Sequence, residues 1–293
     1  MFKKELATIL SFYAVSPIHA GSGMSTGAVD LPIQREKHTN WPHIQASAVK
    51  GAIRAHFRNF SDDKEMINLI FGSDNKNDER KEGSDKDLPA SISISDAKLL
   101  AFPVRSNVAP FVWVTSPAIL KRLERDLLFL GKSRDISSVK LKGNEGRILK
   151  GIETDRVILE DSVIDAKYEN SDVFNSINTF FNENYSQIER LLLVSDETFD
   201  YLVTNAIEIQ TQITIDHEKG TAKDGALRYQ ELLPSDSLLY SVIYFSKTTS
   251  VDNELKADLI KKKLEDSLQN FMQIGGDETL GRGICKLSWF KGE

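Results

Sequence analysis

The stretch that decides the reading is Ser-Pro-Ile-His-Ala-Gly-Ser-Gly (16–23), then Ala-Val-Asp-Leu-Pro-Ile-Gln-Arg-Glu-Lys-His-Thr (28–39), and, after Trp41-Pro42, Ala-Ser-Ala-Val-Lys-Gly-Ala-Ile-Arg (46–54). Glycines and small residues surround Asp30, so its carboxylate is expected in an irregular loop. Beyond Pro42 the chain reads as a helix that starts near Ser47. Val49, Ala52, Ile53, Phe57 and Phe60 build one apolar stripe. Lys50, Arg54 and Arg58 recur every fourth residue and line a second stripe of charge. A helix of this kind packs on a core and shows cations beside it, and its N-terminus adds a partial positive charge. A lone carboxylate next to such a helix suits a polyanion backbone running past.

Working outward, the 293 residues carry 40% hydrophobic residues, enough for one large core, and a net charge of −6. The charge taken alone argues against a nucleic-acid binder. Its distribution argues otherwise: in residues 1–60 the cations Lys3, Lys4, Arg35, Lys37, Lys50, Arg54 and Arg58 outnumber the anions Glu5, Asp30 and Glu36. A basic groove on an acidic protein is therefore allowed. The single cysteine, Cys285, excludes an internal disulfide framework, which makes a cytoplasmic location the default. No signal peptide and no membrane-spanning apolar run is legible.

Elements alternate between the two periods. Leu6–Val15 reads as the first strand. Met66–Phe71 reads as the end of a helix, and Ser73–Asp87 as a solvated loop. Ala90–Val104 and Phe111–Val114 read as strands. Ser116 caps a helix with Pro117 in its first turn and Gly131 as its stop. Between Lys132 and Glu189 a strand at Arg156–Glu160 and a helix at Val173–Phe181 stand out, and this region reads as an insertion. Arg190–Val194 is a buried strand, and Ser195 caps a helix over Asp196–Val203. Glu208–Ile215 and Ala226–Leu232 form two arms of a hairpin turning at Lys219-Gly220-Thr221. Leu238–Phe245 is a strand, and Asp252–Met272 a helix with Ile260, Leu264, Leu268 and Phe271 inward. Gly275-Gly276 ends that helix, and Gly283–Phe290 is the last strand. The mixture fits one α+β domain over 1–293. Its core is expected to be ferredoxin-like (RRM-like), with insertions at 61–89 and 132–189 and a thumb-like hairpin at 208–234.

The order G-S-G, V-D-x-P-I-Q-R-E-x-H-T and S-x-x-K-G-x-I-R closely resembles the backbone RAMP subunit of type III-B CRISPR (Cmr) effector complexes. So do Ile-Asp-His-Glu-Lys-Gly-Thr-Ala-Lys-Asp-Gly-Ala-Leu-Arg-Tyr-Gln-Glu-Leu-Leu-Pro (215–234) and Ile-Gly-Gly-Asp-Glu-Thr-Leu-Gly-Arg-Gly (274–283). The resemblance implies a RAMP fold and an endoribonuclease that binds CRISPR RNA and cuts complementary target RNA at regular intervals. It also implies partnership with head-to-tail copies of itself and with other Cmr subunits. The same fold serves elsewhere as a non-catalytic guide-binding scaffold. Guide-processing relatives cut their own repeat RNA, a role for which His19 and Tyr13 are the base–acid candidates.

Each site residue has a bland reading beside the functional one. Asp30 is a turn residue or, as the resemblance implies, the carboxylate needed for cutting. Two roles are open to it: holding a divalent cation, expected to be Mg²⁺, through water, or acting as a base on the RNA 2′-hydroxyl. His19 caps a strand end, or moves a proton. His38 and Arg35 belong to a solvated charge run, or touch RNA or a neighbouring subunit. Lys50 and Arg54 face solvent, or hold phosphates; Gly51, costly inside a helix, points to a close approach. Gly275, Gly276 and Arg282 are a plain connection, or contact RNA or support the Asp30 loop. Glu231 lies on the hairpin arm as a second acidic candidate at the cut site. No His/Cys spacing suggests a structural metal.

Overall fold

A computed structural model describes residues 3–73, 89–248 and 254–291. Most of the expected loop Ser73–Asp87 lies outside the described residues. In chain order the elements are β1 (Ala7–Ala14), β2 (His43–Ile44), α1 (Ala46–Arg58), α2 (Lys64–Phe71), β3 (Ile92–Ile94), β4 (Ala97–Arg105), β5 (Phe111–Thr115) and α3 (Pro117–Phe129). The middle of the chain supplies β6 (Glu145–Lys150), β7 (Arg156–Leu159), β8 (Ser162–Tyr168), α4 (Asp172–Asn184), β9 (Leu191–Val194) and α5 (Asp196–Asn205). Then come β10 (Glu208–Gln212), β11 (Ile215–Asp216), β12 (Thr221–Ala222), β13 (Arg228–Leu232), β14 (Leu238–Phe245), α6 (Ala257–Ser267), β15 (Phe271–Gln273) and β16 (Ile284–Trp289).

The main sheet runs β15-β16-β1-β14-β4-β5-β9-β6-β8-β7. Its middle carries the ferredoxin-like core. Taking β1, β4, β14 and β16 as core strands one to four, and α1 and α6 as the helices between them, the spatial order β16-β1-β14-β4 is 4-1-3-2. All three pairings are antiparallel. Everything from Ser106 to Ser237 is inserted between the second and third core strands. Residues 132–189 supply β6, β7 and β8, which extend the same sheet beyond β9. The sheet then curls back: Leu159 forms a bridge to Ser106, and Glu160 N–H donates to Arg105 O at 3.1 Å.

Local chemistry sets the helix starts. The hydroxyls of Ser116 and Ser195 accept from the N–H groups of Ile119 and Thr198, and the Asp63 carboxylate does the same for Met66. Val49, Ile53 and Phe57 of α1 are buried, and the Phe57 ring meets Phe71 of α2 with centroids 5.6 Å apart. Each such side chain contributes about 1.5–3 kcal/mol. Phe60, placed on this stripe by its spacing, is 60% exposed, because α1 stops at Arg58.

Met66–Phe71 does finish a helix, α2, which begins at Lys64 and has its own cap in Asp63. One more expectation is corrected. The last helix ends at Ser267, and Phe271 starts a strand and is exposed. The apolar spacing of Ile260, Leu264 and Leu268 runs on into Phe271 by coincidence; Asn270, in the left-handed region at φ +67°, turns the chain between them.

β1 is buried along almost its whole length, on both of its faces. The helix α6 packs against β14, and α1 against α6 and the flanking strands β3 and β15. Ser11 and its cross-strand partner Tyr240 reach into the insertion: Ser11 Oγ meets Tyr185 Oη at 2.8 Å, and Tyr240 donates to Asp126 Oδ2 at 2.9 Å. Burial drives the Tyr185 phenol up to about 12. In RRM proteins an open sheet face stacks bases. Here the insertion packs on that face, which is not free to stack bases.

Candidate functional site

The site forms where three remote segments meet. Residues 20–25 and 30–34 run side by side: Gly21 bridges Ile33, Ser22 N–H donates to Pro32 O at 3.0 Å, and Ser25 N–H to Asp30 O at 2.9 Å. This lobe adds a short parallel edge to β13 through a bridge from Leu31 to Gln230. Main-chain bonds lock it there. The N–H groups of Asp30 and Leu31 both donate to Tyr229 O, at 3.1 and 3.0 Å, and Glu231 N–H donates to Leu31 O at 3.0 Å. The Tyr229 N–H donates to Asp30 Oδ2 at 2.8 Å. The half-buried Asp30 carboxylate is thus held by one oxygen, while Oδ1 has no hydrogen bond within the described residues.

Glu231 uses both of its oxygens inside the protein. Oε2 accepts from Ile33 N–H at 3.0 Å, and Oε1 from Arg35 Nη2 at 3.3 Å, with both side chains largely buried. Arg35 also donates to Asn40 O at 3.0 Å and Val203 O at 3.5 Å. These two residues clamp the Asp30 segment to the hairpin and to α5. His19 lies along the same edge of β13, next to the Ile18–Leu233 bridge, with Nδ1 2.9 Å from Glu231 O. A carbonyl only accepts, so the proton resides on Nδ1 and Nε2 is left open.

The glycines at 275 and 276 lie in a hairpin between β15 and β16, not between a helix and a strand as the sequence suggested. Gly275 has φ +90°, and a Cβ there would stand 2.6 Å from His19 O; Gly276 N–H donates to that oxygen at 2.9 Å. The turn therefore seats His19. Arg282 points inward: Nη1 donates to Gln230 Oε1 at 2.5 Å and pairs with Asp277 Oδ2 at 2.8 Å, and Nη2 donates to Gln210 Oε1 at 2.5 Å. Gln230, Gln210 and Asp277 are not legible as site residues in the sequence. The only signal is that Gln230 shares a strand face with buried Leu232.

The α1 cations stand apart from this cluster. Lys50 is half-buried, and burial, then the neighbouring Arg54, hold its pKa below the ordinary value. Arg54 donates to Asn68 at 2.9 Å. A Cβ on Gly51 would meet nothing within 4 Å, so no close approach inside the chain explains this glycine. His38 is exposed, 3.2 Å from Arg122, whose guanidinium pairs with Glu36 at 2.9 Å and lies 4.6 Å from the centre of the Trp41 ring. Tyr13 donates to Asp236; burial, then this bond, raise its pKa, and nothing joins it to His19 among the described residues. That geometry gives no support to a base–acid pair.

Among the described residues no three His, Cys, Asp or Glu side chains gather around a common point. Asp30, with one oxygen engaged, fits an ion that keeps most of its water, as Mg²⁺ does, and does not fit an ion caged by protein.

Beside the hairpin β10–β13, whose shaft exposes Ile209, Ile213, Leu227 and Tyr229, this arrangement defines a class: a modified ferredoxin-like protein with a carboxylate loop clamped to an inserted thumb. The chain belongs to the RAMP superfamily, whose family model matches residues 11–286. It is 35% identical over 290 residues to the CRISPR system Cmr endoribonuclease Cmr4 of Pyrococcus furiosus, covering 96% of this chain and 95% of that one. It is 27% identical to the CRISPR system CMR subunit Cmr4 of Saccharolobus solfataricus, covering 94% of each. The crystal structure of oligomeric Cmr4 from Pyrococcus furiosus superposes with a TM-score of 0.74 at 26% identity, covering 98% of both chains. No helix of the described residues is long and apolar enough to cross a membrane.

Proposed function

We propose that this chain is the repeated backbone subunit of a type III-B CRISPR effector complex and the endoribonuclease that cuts its target RNA. The carrying observation is the Asp30 carboxylate: fixed by the main chain of the thumb, with one oxygen open, in a chain 35% identical to a Cmr endoribonuclease. Copies stack head to tail along the CRISPR RNA, a heterologous contact that grows an open helical filament, alongside the other Cmr subunits. Lys50 and Arg54 hold guide phosphates, and the open space at Gly51 lets the backbone pass close to α1. Base pairing, not the protein, selects the target. The assembly works in the cytoplasm.

The apolar shaft of the hairpin wedges into the guide–target duplex and turns one target nucleotide out of the stack, which costs a few kcal/mol. Its 2′-oxygen attacks the adjacent phosphorus as the bond to the leaving 5′-oxygen breaks. This route explains a preference for RNA over DNA. Asp30 takes the 2′-hydroxyl proton or orients a water-coordinated Mg²⁺, which when bound offsets charge on the phosphate. Glu231 and Arg35 keep Asp30 in place. His19 braces β13, and its open Nε2 is an acceptor that can give a proton to the leaving oxygen only after first taking one up from water. Reconstitution with guide and complementary RNA, with and without Mg²⁺, tests this reading. Evenly spaced cuts that need the cation are expected. A complex that pairs with target and leaves it whole in all divalent cations favours a non-catalytic scaffold.

A further inference from the structure

Behind Asp30 and its clamp lies a buried polar cluster that the proposed chemistry does not use. Gln230 is 2% exposed, in the middle of β13, where an apolar residue would be ordinary. Both ends of its amide are engaged. The oxygen accepts from Arg282 and from Gln212 Nε2, and Nε2 donates to Asp277 Oδ2 at 2.8 Å. Arg282 spans the two strands of the hairpin, reaching Gln210 of β10 with one nitrogen and Gln230 of β13 with the other. Asp277, in the left-handed region at φ +61°, fixes the guanidinium from behind. Gln230 is also the residue that bridges Leu31, and its neighbours Tyr229 and Glu231 make the main-chain bonds that hold Asp30 and Leu31 to the hairpin.

We infer that Arg282, Gln230 and Asp277 form a positioning device: the glycine-rich hairpin sets the height of β13, and thereby the place of the Asp30 carboxylate. This assigns Arg282 inward, to the thumb root, rather than to an RNA phosphate. The inference rests on Asp30 being the catalytic carboxylate. A guanidinium is needed because its planar fork bonds two strands and a carboxylate at once, which an ammonium point charge does not. Buried polar networks with their partners in place fix one geometry. Displacement of about an ångström at a reacting group costs as much as a hundredfold in rate.

The test uses the assembled complex with guide RNA and complementary target. Arg282→Lys and Gln230→Met are compared with wild type and with Asp30→Asn for guide affinity, its salt dependence, target affinity and single-turnover cleavage. Both variants are expected to bind guide and target with unchanged affinity and salt slope, and to cut at least tenfold more slowly at saturating target. Gln230→Glu alone sets a carboxylate against Asp277 and is expected to be equally slow. Gln230→Glu with Asp277→Asn restores a donor–acceptor pair and keeps one anion for Arg282, so cleavage is expected to recover several-fold. A salt slope lowered by about one in Arg282→Gln, run alongside because lysine keeps the charge, identifies a phosphate contact instead, and overturns the inference. So does wild-type cleavage in both variants, or no recovery in the double variant. If Asp30→Asn itself cuts at the wild-type rate, the assignment of Asp30 fails, and that outcome is read separately from the others.

Discussion

Glu231→Gln separates a clamp from a chemical participant. The wild-type carboxylate satisfies two donors, Ile33 N–H at 3.0 Å and Arg35 Nη2 at 3.3 Å. A glutamine keeps the shape and one acceptor, and aims an NH₂ at the second donor. A hydrogen bond to a charged group contributes about 1.5–3 kcal/mol. Arg35 keeps its carbonyl partners Asn40 and Val203, so the loss falls near the lower end. For a chain of this length about 2 kcal/mol lowers Tm by roughly 3 °C. The loosened Asp30 segment should slow single-turnover cleavage by about tenfold, with guide and target affinity unchanged. Differential scanning fluorimetry and a quenched-flow cleavage assay on the same complex give both numbers. Arg35→Met should cost about the same, and the double variant less than the sum, since the two residues share one interaction. Cleavage abolished at an unchanged Tm would show that Glu231 touches the reacting atoms and would refute the clamp.

Lys50→Met should weaken guide binding and lower the salt slope by about one. It should not lower the stability of the RNA-free protein. The folded Lys50 pKa lies below its ordinary 10.5, so the unfolded chain binds more protons between the two values. This residue's contribution to stability therefore rises with pH through that window and is unfavourable below it, where the charge is forced on a half-buried site. Melting curves at neutral and high pH check this. The Cys285 thiol, buried and driven up to about 12, should resist alkylation at pH 8 until the protein unfolds, as mass spectrometry along a denaturant series will report.

Local signals in the sequence were enough where an element carries its own start, period and stop. Ser116 with Pro117, Ser195, and the spacing of Val49, Ile53 and Phe57 each mark a helix that the structure contains. The strands β6 and β8 were hidden. Their charged residues blur the alternation, and their burial comes from partners far along the chain. Asp30 was visible as an oddly placed carboxylate, but its surroundings were not. The Tyr229 and Ile33 contacts that fix it join residues 199 and 198 positions apart. The inward turn of Arg282 was equally illegible, because a basic residue in a glycine-rich loop looks the same whether it meets phosphate or a buried glutamine.

If Asp30 is the carboxylate that cuts, assembly and target pairing should not need it. Asp30→Asn keeps the shape of the side chain and an acceptor for the Tyr229 N–H, so stability should change by less than about 1 kcal/mol. With guide binding assigned above to Lys50 and Arg54, and target binding to base pairing, neither should change. The decisive measurement is single-turnover cleavage of labelled target by complexes in which every copy carries Asp30→Asn. Wild-type assembly and target affinity are expected, with the whole ladder of products lost. A ladder formed at near the wild-type rate would contradict the role given to Asp30.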